Sequence, residues 1–347
     1  MKIVIIGGAG FIGINASYHF LKRGDEVVIV DNLSRPGSEY NLQRLQKTWP
    51  AKFYKTDIRD FDGISEMIQK EGDCDAVLLL AGQVAVTTSV TNPRLDFDIN
   101  ALGTFNVLEA IRLSAHRPLL IYTSTNKVYG KMEQMGIIKR NGRYEYADQP
   151  DGIEESQQLD FYSPYGCSKG CGEQYVRDYH RIYGLPTVVF RQSCIYGPNQ
   201  FGIEDQGWVA WFTIATLLKK KFTIYGDGNQ IRDILFVDDL VRLYEKAVLQ
   251  KEKCAGEIYN VGGGPAFTMS LNELVAILND RFNENLNPDQ DEWRPGDQKV
   301  YVSNIAKVSA DLGWKPTTGI RAGIDQMADW IAENQAILAH YVFGKPL

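Results

Sequence analysis

The chain has 347 residues, 44% of them hydrophobic and 23% charged, enough for a large core and for more than one lobe of a globular protein. Its formal net charge of −6, with no block of Lys and Arg, argues against a nucleic-acid partner or an anionic membrane surface. No apolar run reaches the roughly 18 residues of a membrane span, and Met1 leads straight into an apolar strand rather than a signal peptide, so a cytoplasmic protein is expected.

Met1 to Asp31 read as a β-α-β unit. The β-branched run Ile3 to Ile6 is a buried strand, and Gly7, Gly10 and Gly13 follow it at G-x-x-G-x-x-G spacing, where a helix through Phe11, Ile12 and on to Leu21 begins. In such a unit one glycine permits the tight turn, one lets the backbone approach a pyrophosphate, and one lets the helix pack on the strand. The helix start offers free N–H groups to phosphates. A second strand, Glu26 to Val30, ends on Asp31, whose carboxylate is placed to accept ribose hydroxyls and to repel a 2′-phosphate, which favours NAD over NADP.

Asn32 to Trp49 is a polar loop with Pro36 and Gly37 that leads into a short helix. Phe53 and Tyr54 mark a third strand; after it Asp57 and Ile58 are placed to meet an adenine, unless Asp57 is a helix N-cap. Asp75 to Leu80 is a fourth strand, and the small residues of Ala81-Gly82-Gln83 let a cofactor lie across the strand ends. A long amphipathic helix, Leu95 to Ala115, carries Asn100 and Gly103; a fifth strand, Leu119 to Thr123, delivers Ser124 and Thr125 to the same sheet edge. Lys131 to Asp160 shows no period and reads as a lid or binding loop. Ser163 and Pro164 start a helix that runs to about Tyr183, Thr187 to Phe190 is a sixth strand, and beyond Arg191 the pattern weakens into a second lobe. Val237 to Gln250, Leu271 to Phe282 and Ile320 to Ala339 read as helices and Ile258 to Val261 as a strand.

Tyr165 and Lys169 stand four apart near the start of a helix, hence on one face, where the ammonium can lower the phenol's pKa and make it a base near neutral pH. Thr125 can hold the reacting oxygen at the strand end, so the three residues compose an alcohol–ketone oxidation site. The five cysteines contain no C-x-x-C pair and the four histidines no metal-ligand spacing, so neither a disulfide framework nor a metal is expected. Cys167 is placed either to touch a substrate or to pack in its helix, and Trp208 and Trp211 either to close a sugar pocket or to pack in a core.

Taken together, GGAGFIG at Gly7, Asp31-Asn32, Asp57-Ile58, Ala81-Gly82-Gln83, Asn100 with Gly103-Thr104, Thr125 with Val128-Tyr129-Gly130, Tyr165/Lys169, Tyr196-Gly197-Pro198, Arg232-Asp233 and Arg294-Pro295-Gly296-Asp297 resemble the extended short-chain dehydrogenase/reductase family of sugar-nucleotide-modifying enzymes. The resemblance implies a Rossmann-type doubly wound parallel sheet (1–192 and 233–262) with a smaller C-terminal α/β lobe (193–232 and 263–347). It implies bound NAD touched by Gly7, Gly10, Phe11, Ile12, Gly13, Asp31, Asn32, Asp57, Ile58, Leu80, Ala81, Gly82, Gln83, Asn100, Ser124, Tyr165, Lys169 and Gln192. It implies a nucleotide-sugar substrate touched by Val86, Thr88, Thr125, Asn126, Cys194, Gln206, Trp208, Arg232 and Arg294, the two arginines on the diphosphate. It also implies a homodimer packed through the Leu95 to Ala115 and Pro164 to Tyr183 helices.

Within the family, 4,6-dehydratases resemble one another in following the catalytic Thr with Asp-Glu, the acid and base of the elimination; here Asn126 and Lys127 stand instead, which disfavours loss of water. The strings LAGQVAVTTS, STNKVYG, LDFYSPYGCSKG, TVVFRQSCIYG and DQGWVAWF resemble the branch that interconverts CDP-paratose and CDP-tyvelose by inversion at C2. Leu79, Cys194 and Gln192 depart from residues common in the wider family. The expected activity is thus NAD-dependent epimerisation at C2 of a CDP-hexose; the alternatives are a 4-epimerase using the same Thr, Tyr and Lys, or a nucleotide sensor that keeps the fold without the chemistry.

Overall fold

Seven apolar runs lie side by side in one sheet, in the spatial order Ile258–Val261, Thr187–Gln192, Leu119–Thr125, Ala76–Leu79, Lys2–Ile6, Glu26–Asp31, Lys52–Lys55. Every neighbouring pair is parallel. A computed structural model describes residues 1–294 and 297–345. Both sheet faces are covered, which is why the strands read as continuous apolar runs rather than alternating ones. Ile3, Ile5, Ile29, Leu78, Ile121 and Phe190 belong to one apolar layer with the helices Phe11–Lys22 and Val237–Leu249. Val4, Ile6, Val28, Val77, Leu120 and Val189 belong to the other, with the helices Phe61–Glu71, Gly103–Leu113 and Pro164–Tyr183. This is the Rossmann-type doubly wound arrangement expected from the sequence. Its strand order reverses between Lys2–Ile6 and Ala76–Leu79, and the crevice beyond the carboxyl ends at that point is where such sheets bind ligands.

A smaller sheet joins Thr268–Ser270, Ile231–Phe236 and Val300–Tyr301, with Cys194–Tyr196 also paired to Ile231–Phe236. The Ile231–Phe236 strand carries the chain through the boundary drawn at 232/233. The helix Trp208–Leu217 packs in this lobe; it is buried on nearly all sides, so it has no polar stripe from which a period could be read. The helix Leu271–Phe282 begins with a reciprocal capping box between Ser270 and Glu273.

Three elements differ from the sequence reading. The long helix over Leu95 to Ala115 is a chain of Pro93–Phe97, a single π turn at Asp98–Leu102 and Gly103–Leu113. The wide turn is the kind of one-residue insertion that recurs at functional sites, and it carries Asn100. The patternless stretch 131–160 contains an antiparallel hairpin, Ile137–Arg140 with Arg143–Tyr146, turned by Asn141 and Gly142 at φ 51° and 80°. The C-terminal helix is two, Ile320–Glu333 and Gln335–Phe343, separated at Asn334, whose side chain donates to the Trp330 carbonyl (2.7 Å) and accepts from the Tyr40 hydroxyl (2.7 Å).

Candidate active site

The glycine loop divides its labour as the spacing predicts. Gly7 has φ 87°, and a Cβ there would fall 2.5 Å from the Ala81 nitrogen; a Cβ on Gly13 would fall 2.2 Å from the Gly7 carbonyl oxygen, so the helix rests directly on the turn. Gly10 caps the helix without any side-chain acceptor, and its own missing Cβ faces little beyond the Gly7 carbonyl at 3.3 Å. The N–H groups of Phe11, Ile12 and Gly13 are therefore left bare at a helix N-terminus, with its partial positive charge.

Asp31 is buried at the end of its strand, with one oxygen accepting from the Ala9 N–H (3.1 Å) and the other from Leu33 (2.8 Å); burial raises its pKa, against those two bonds. Asn32 donates to Asp57 (2.7 Å), and Arg59 grips the same carboxylate with two bonds of 2.9 and 2.8 Å, which holds Asp57 well below the ordinary carboxylate range. The N-cap of the next helix is Asp60, which accepts from Gly63 at 3.1 Å, so Asp57 is not a cap. Ile58 is buried against Gly103, where a Cβ would come within 2.8 Å of it.

Several residues expected at the cofactor turn their side chains inward. The N–H groups of Leu80 and Ala81 both donate to the Ile6 carbonyl (2.8 and 2.9 Å), closing the turn before Gly82. Gln83 donates to Asp96 (2.8 Å) and to the Ala85 carbonyl (2.8 Å), while its own N–H is accepted by Asn100 (3.0 Å). Asn100 in turn donates to the Gln83 carbonyl, Asp96 and Ser168, and Ser168 donates to the second Asp96 oxygen. Asp96, 1% exposed, is the hub of this buried network, and the sequence reading did not include it. Ser124 gives its hydroxyl to Glu173 (2.7 Å), which is paired with Arg191 in the core, and Gln192 donates to the Tyr244 hydroxyl (2.6 Å).

Thr125 ends the fifth strand, in register with Gln192. Tyr165 is in the first turn of the helix Pro164–Tyr183, which Ser163 caps by accepting from Gly166 (3.1 Å) and which has Pro164 in its first turn. Burial pushes the Tyr165 phenol up to about 12, while the nearby Thr125 hydroxyl pulls it down. Burial pushes the Lys169 ammonium down to about 7, against the charges of Asp96 and Glu173. The spacing predicts that Lys169 lowers the phenol; in the structure desolvation outweighs charge for both groups, and the charges acting on Tyr165 are Asp96, upward, and Arg35, downward. The Lys169 ammonium lies 4.4 Å from the centre of the Tyr122 ring and hydrogen-bonds to no acceptor among the described residues.

Around this core, Asn126 is buried and accepts from the Thr125 hydroxyl (3.3 Å). Val86 and Thr88 lie on the short helix Val86–Thr91, Thr88 exposed and its neighbour Thr87 with a buried, unpartnered hydroxyl. Cys194 is half-buried, its thiol pushed up by burial. Trp208 packs edge-on to Phe212 with its indole N–H buried and unpartnered, whereas Trp211 is a core residue against Phe343. Arg232 is 8% exposed at its side chain and donates to Asp297 (2.6 Å); Arg294 stacks on Tyr225 (3.9 Å) and pairs with Asp205 (3.4 Å). Pro295 and Gly296 of that motif lie outside the described residues. Gln206 accepts from Arg35 (2.5 Å), a bridge between the two lobes that the sequence reading missed. Cys167 is exposed rather than packed. The hairpin wall, with Lys131 and Tyr144, bounds a cavity of about 520 Å³ that Asp297 and Gln298 also line.

The bare helix start, the buried acid at the second strand end and an enclosed ammonium without an acceptor fit a dinucleotide and its ribose hydroxyls. Among the described residues no three His, Cys, Asp or Glu side chains converge as a metal site, and no helix is long and apolar enough to cross a membrane.

Residues 4–327 match the family described as GDP-mannose 4,6 dehydratase. CDP-paratose 2-epimerase of Salmonella typhi is 43% identical over 335 residues, covering 95% of this chain and 99% of that protein. A putative UDP-glucose 4-epimerase of Methanocaldococcus jannaschii is 32% identical over 333 residues, covering 96% and 99%. The solved structure of UDP-glucuronic acid 4-epimerase from Bacillus cereus, in complex with UDP-glucuronic acid and NAD, is 28% identical with a TM-score of 0.82, covering 96% of this chain and 99% of that one.

Proposed function

The chain belongs to the GDP-mannose 4,6-dehydratase family of nucleotide-sugar epimerases and dehydratases, and from that premise we propose that it is an NAD-dependent isomerase that inverts C2 of a CDP-activated hexose. The observation that carries the reading is the near end-to-end similarity to a CDP-paratose 2-epimerase. Asn126 and Lys127 support it, because neither can serve as the carboxylate acid or base of a dehydratase.

Bound NAD supplies a hydride acceptor and donor at the reacting carbon. The phenolate of Tyr165 takes the proton of the sugar hydroxyl, and Thr125 hydrogen-bonds the oxygen as it becomes a carbonyl. Lys169, whose ammonium hydrogen-bonds to no acceptor among the described residues, would hold the ribose hydroxyls of the dinucleotide on the same helix face as the phenol. The 2-keto sugar then presents its other face, and Tyr165 returns the proton to the C2 oxygen. Arg232 and Arg294 anchor the diphosphate meanwhile. The hairpin over the substrate cavity keeps water from the ketone. The two lobes divide the work, 1–192 with 233–262 holding the cofactor and 193–232 with 263–347 the sugar nucleotide, in a cytoplasmic homodimer.

Product NMR after incubation with CDP-paratose, CDP-glucose or UDP-glucose in D₂O, without added NAD, tests this. Inversion at C2 with no deuterium incorporated there is expected. Inversion at C4 transfers the protein to the 4-epimerases, deuterium at the inverted carbon replaces hydride return with enolisation, and the absence of turnover favours a sensor.

A further inference from the structure

Lys127 is unused by the mechanism above, yet its side chain occupies a charged corner of the site with Arg232 and Asp297. It follows Thr125 by two residues in the short 3₁₀ turn Asn126–Tyr129, and the Thr125 hydroxyl oxygen accepts its backbone N–H at 3.2 Å. Its ammonium reaches toward the Gln298 amide oxygen (3.4 Å) and lies 4.0 Å from Asp297. The same Asp297 oxygen accepts from Arg232 at 2.6 Å. Two cations thus share one carboxylate, and Lys127 holds only the long contacts. Burial disfavours its charged form. Such a corner has a surplus positive charge and an incompletely satisfied ammonium, and its natural complement is an anion. A phosphate suits the pair, Arg232 as a planar fork and Lys127 as a compact point charge.

The placement also constrains the sugar. The diphosphate of a nucleotide-activated hexose leaves from C1; C2 is bonded to C1, whereas C4 lies across the ring. Thr125 marks the reacting oxygen, and two residues of backbone span at most about 7 Å. The Lys127 backbone N–H is held on the Thr125 hydroxyl and its ammonium lies in the cluster around Arg232, so a single side chain runs from the reacting oxygen to the phosphate corner and sets the reach between them. We propose that Lys127 is a specificity-determining residue that binds the sugar-linked phosphate together with Arg232 and thereby presents C2, rather than C4, to Thr125 and Tyr165. This rests on the reading of the reaction given above.

The test uses the holoenzyme and the variants Lys127→Met and Lys127→Arg, with calorimetric titration of CDP and of cytidine and NMR of the sugar product. Lys127→Met is expected to bind CDP about tenfold to a hundredfold more weakly while cytidine, which has no phosphate, binds as to wild type. Its C2 turnover falls by at least a similar factor. Lys127→Arg, which keeps the charge, restores most of the CDP affinity and reports that the turn has folded. Wild-type CDP affinity and wild-type C2 turnover in Lys127→Met overturn the role of Lys127 while leaving the C2 reaction standing. A wild-type enzyme that inverts C4 overturns the reaction itself, and with it the claim that Lys127 selects C2, whatever CDP binding shows.

Discussion

Tyr122 holds Lys169 twice: its hydroxyl donates to the Lys169 carbonyl at 3.1 Å, and its ring lies 4.4 Å beneath the Lys169 ammonium. The aromatic face partly compensates a charge that burial disfavours. Burial has lowered this ammonium from its ordinary value near 10.5 to about 7, so between those two pH values the unfolded chain carries a proton the folded one does not. Folding is penalised in full below pH 7, and the penalty fades as pH rises toward 10.5. In NAD-stripped protein, Lys169→Met should melt higher than wild type at pH 6, by roughly 1–3 kcal/mol of added stability, with the difference vanishing near pH 10.5. Thermal denaturation across that range checks it. An equal gain at every pH contradicts the assignment.

Tyr165→Phe should lower kcat about a thousandfold while the dissociation constant of the substrate stays within about threefold of wild type. Because burial raises the phenol and the Thr125 hydroxyl lowers it, kcat/KM climbs with pH above neutrality, and Thr125→Val moves that limb to higher pH. A pH–rate series on both variants reads each effect separately.

Gly13→Ala puts a methyl carbon 2.2 Å from the Gly7 carbonyl oxygen, so either the helix or the turn must shift. The expected outcome is a loss of roughly 1–3 kcal/mol and protein that purifies with little NAD. Enzymatic assay of nucleotide released on denaturation measures it. Gly24→Ala, at positive φ but with open space around it, is the control: it costs some stability and leaves NAD content unchanged.

The outer faces of the helices Gly103–Leu113 and Pro164–Tyr183 expose Leu113 (61%), Ile182 (65%) and Tyr183 (48%). Exposed apolar side chains on these two helices make this the face through which we propose that two copies pack. Sedimentation analysis should find a dimer, and the double variant Leu113→Glu with Ile182→Glu should sediment as a monomer.

What the sequence disclosed follows from how local each signal is. The Gly7, Gly10 and Gly13 loop, the strand before it and Asp31 after it are adjacent in the chain, so spacing alone placed them correctly in space. Ser163-Pro164 announced the helix that carries Tyr165, because capping is also a local rule. The hairpin at 137–146 was legible too, through Asn141-Gly142, the strongest dipeptide signal for a two-residue turn, but each flanking strand is only four residues long and the first, Ile137–Arg140, is wholly exposed, so too little pattern marks them. By contrast, nothing in the sequence says that Gln83 and Ser168 meet at Asp96, 13 and 72 residues away, or that Arg35 crosses to Gln206. Those contacts exist only once the sheet has assembled. The balance of charge and burial at Tyr165 and Lys169 is of the same kind: spacing puts the pair on one face, and the depth of the helix decides which influence wins.

The Cys194–Tyr196 and Ile231–Phe236 strands of the smaller sheet lie in the chain between Thr187–Gln192 and Ile258–Val261, two neighbours of the main sheet. The two sheets are therefore sewn together by several passes of the chain, with no lone tether that could be cut. A fragment ending at residue 192 would lack the Ile258–Val261 edge and leave Thr187–Gln192 as an open apolar border prone to self-association. Opening the crevice like a book on a single spine would strain every one of those stitches at once. Traffic in and out then falls to the hairpin at 137–146, whose second strand is pinned to the smaller lobe by Arg143 on Glu273 and Thr268, Tyr144 on Asp227 and the Tyr146 hydroxyl on the Val300 carbonyl (3.0 Å), so that lifting it breaks those side-chain bonds but unpicks neither sheet.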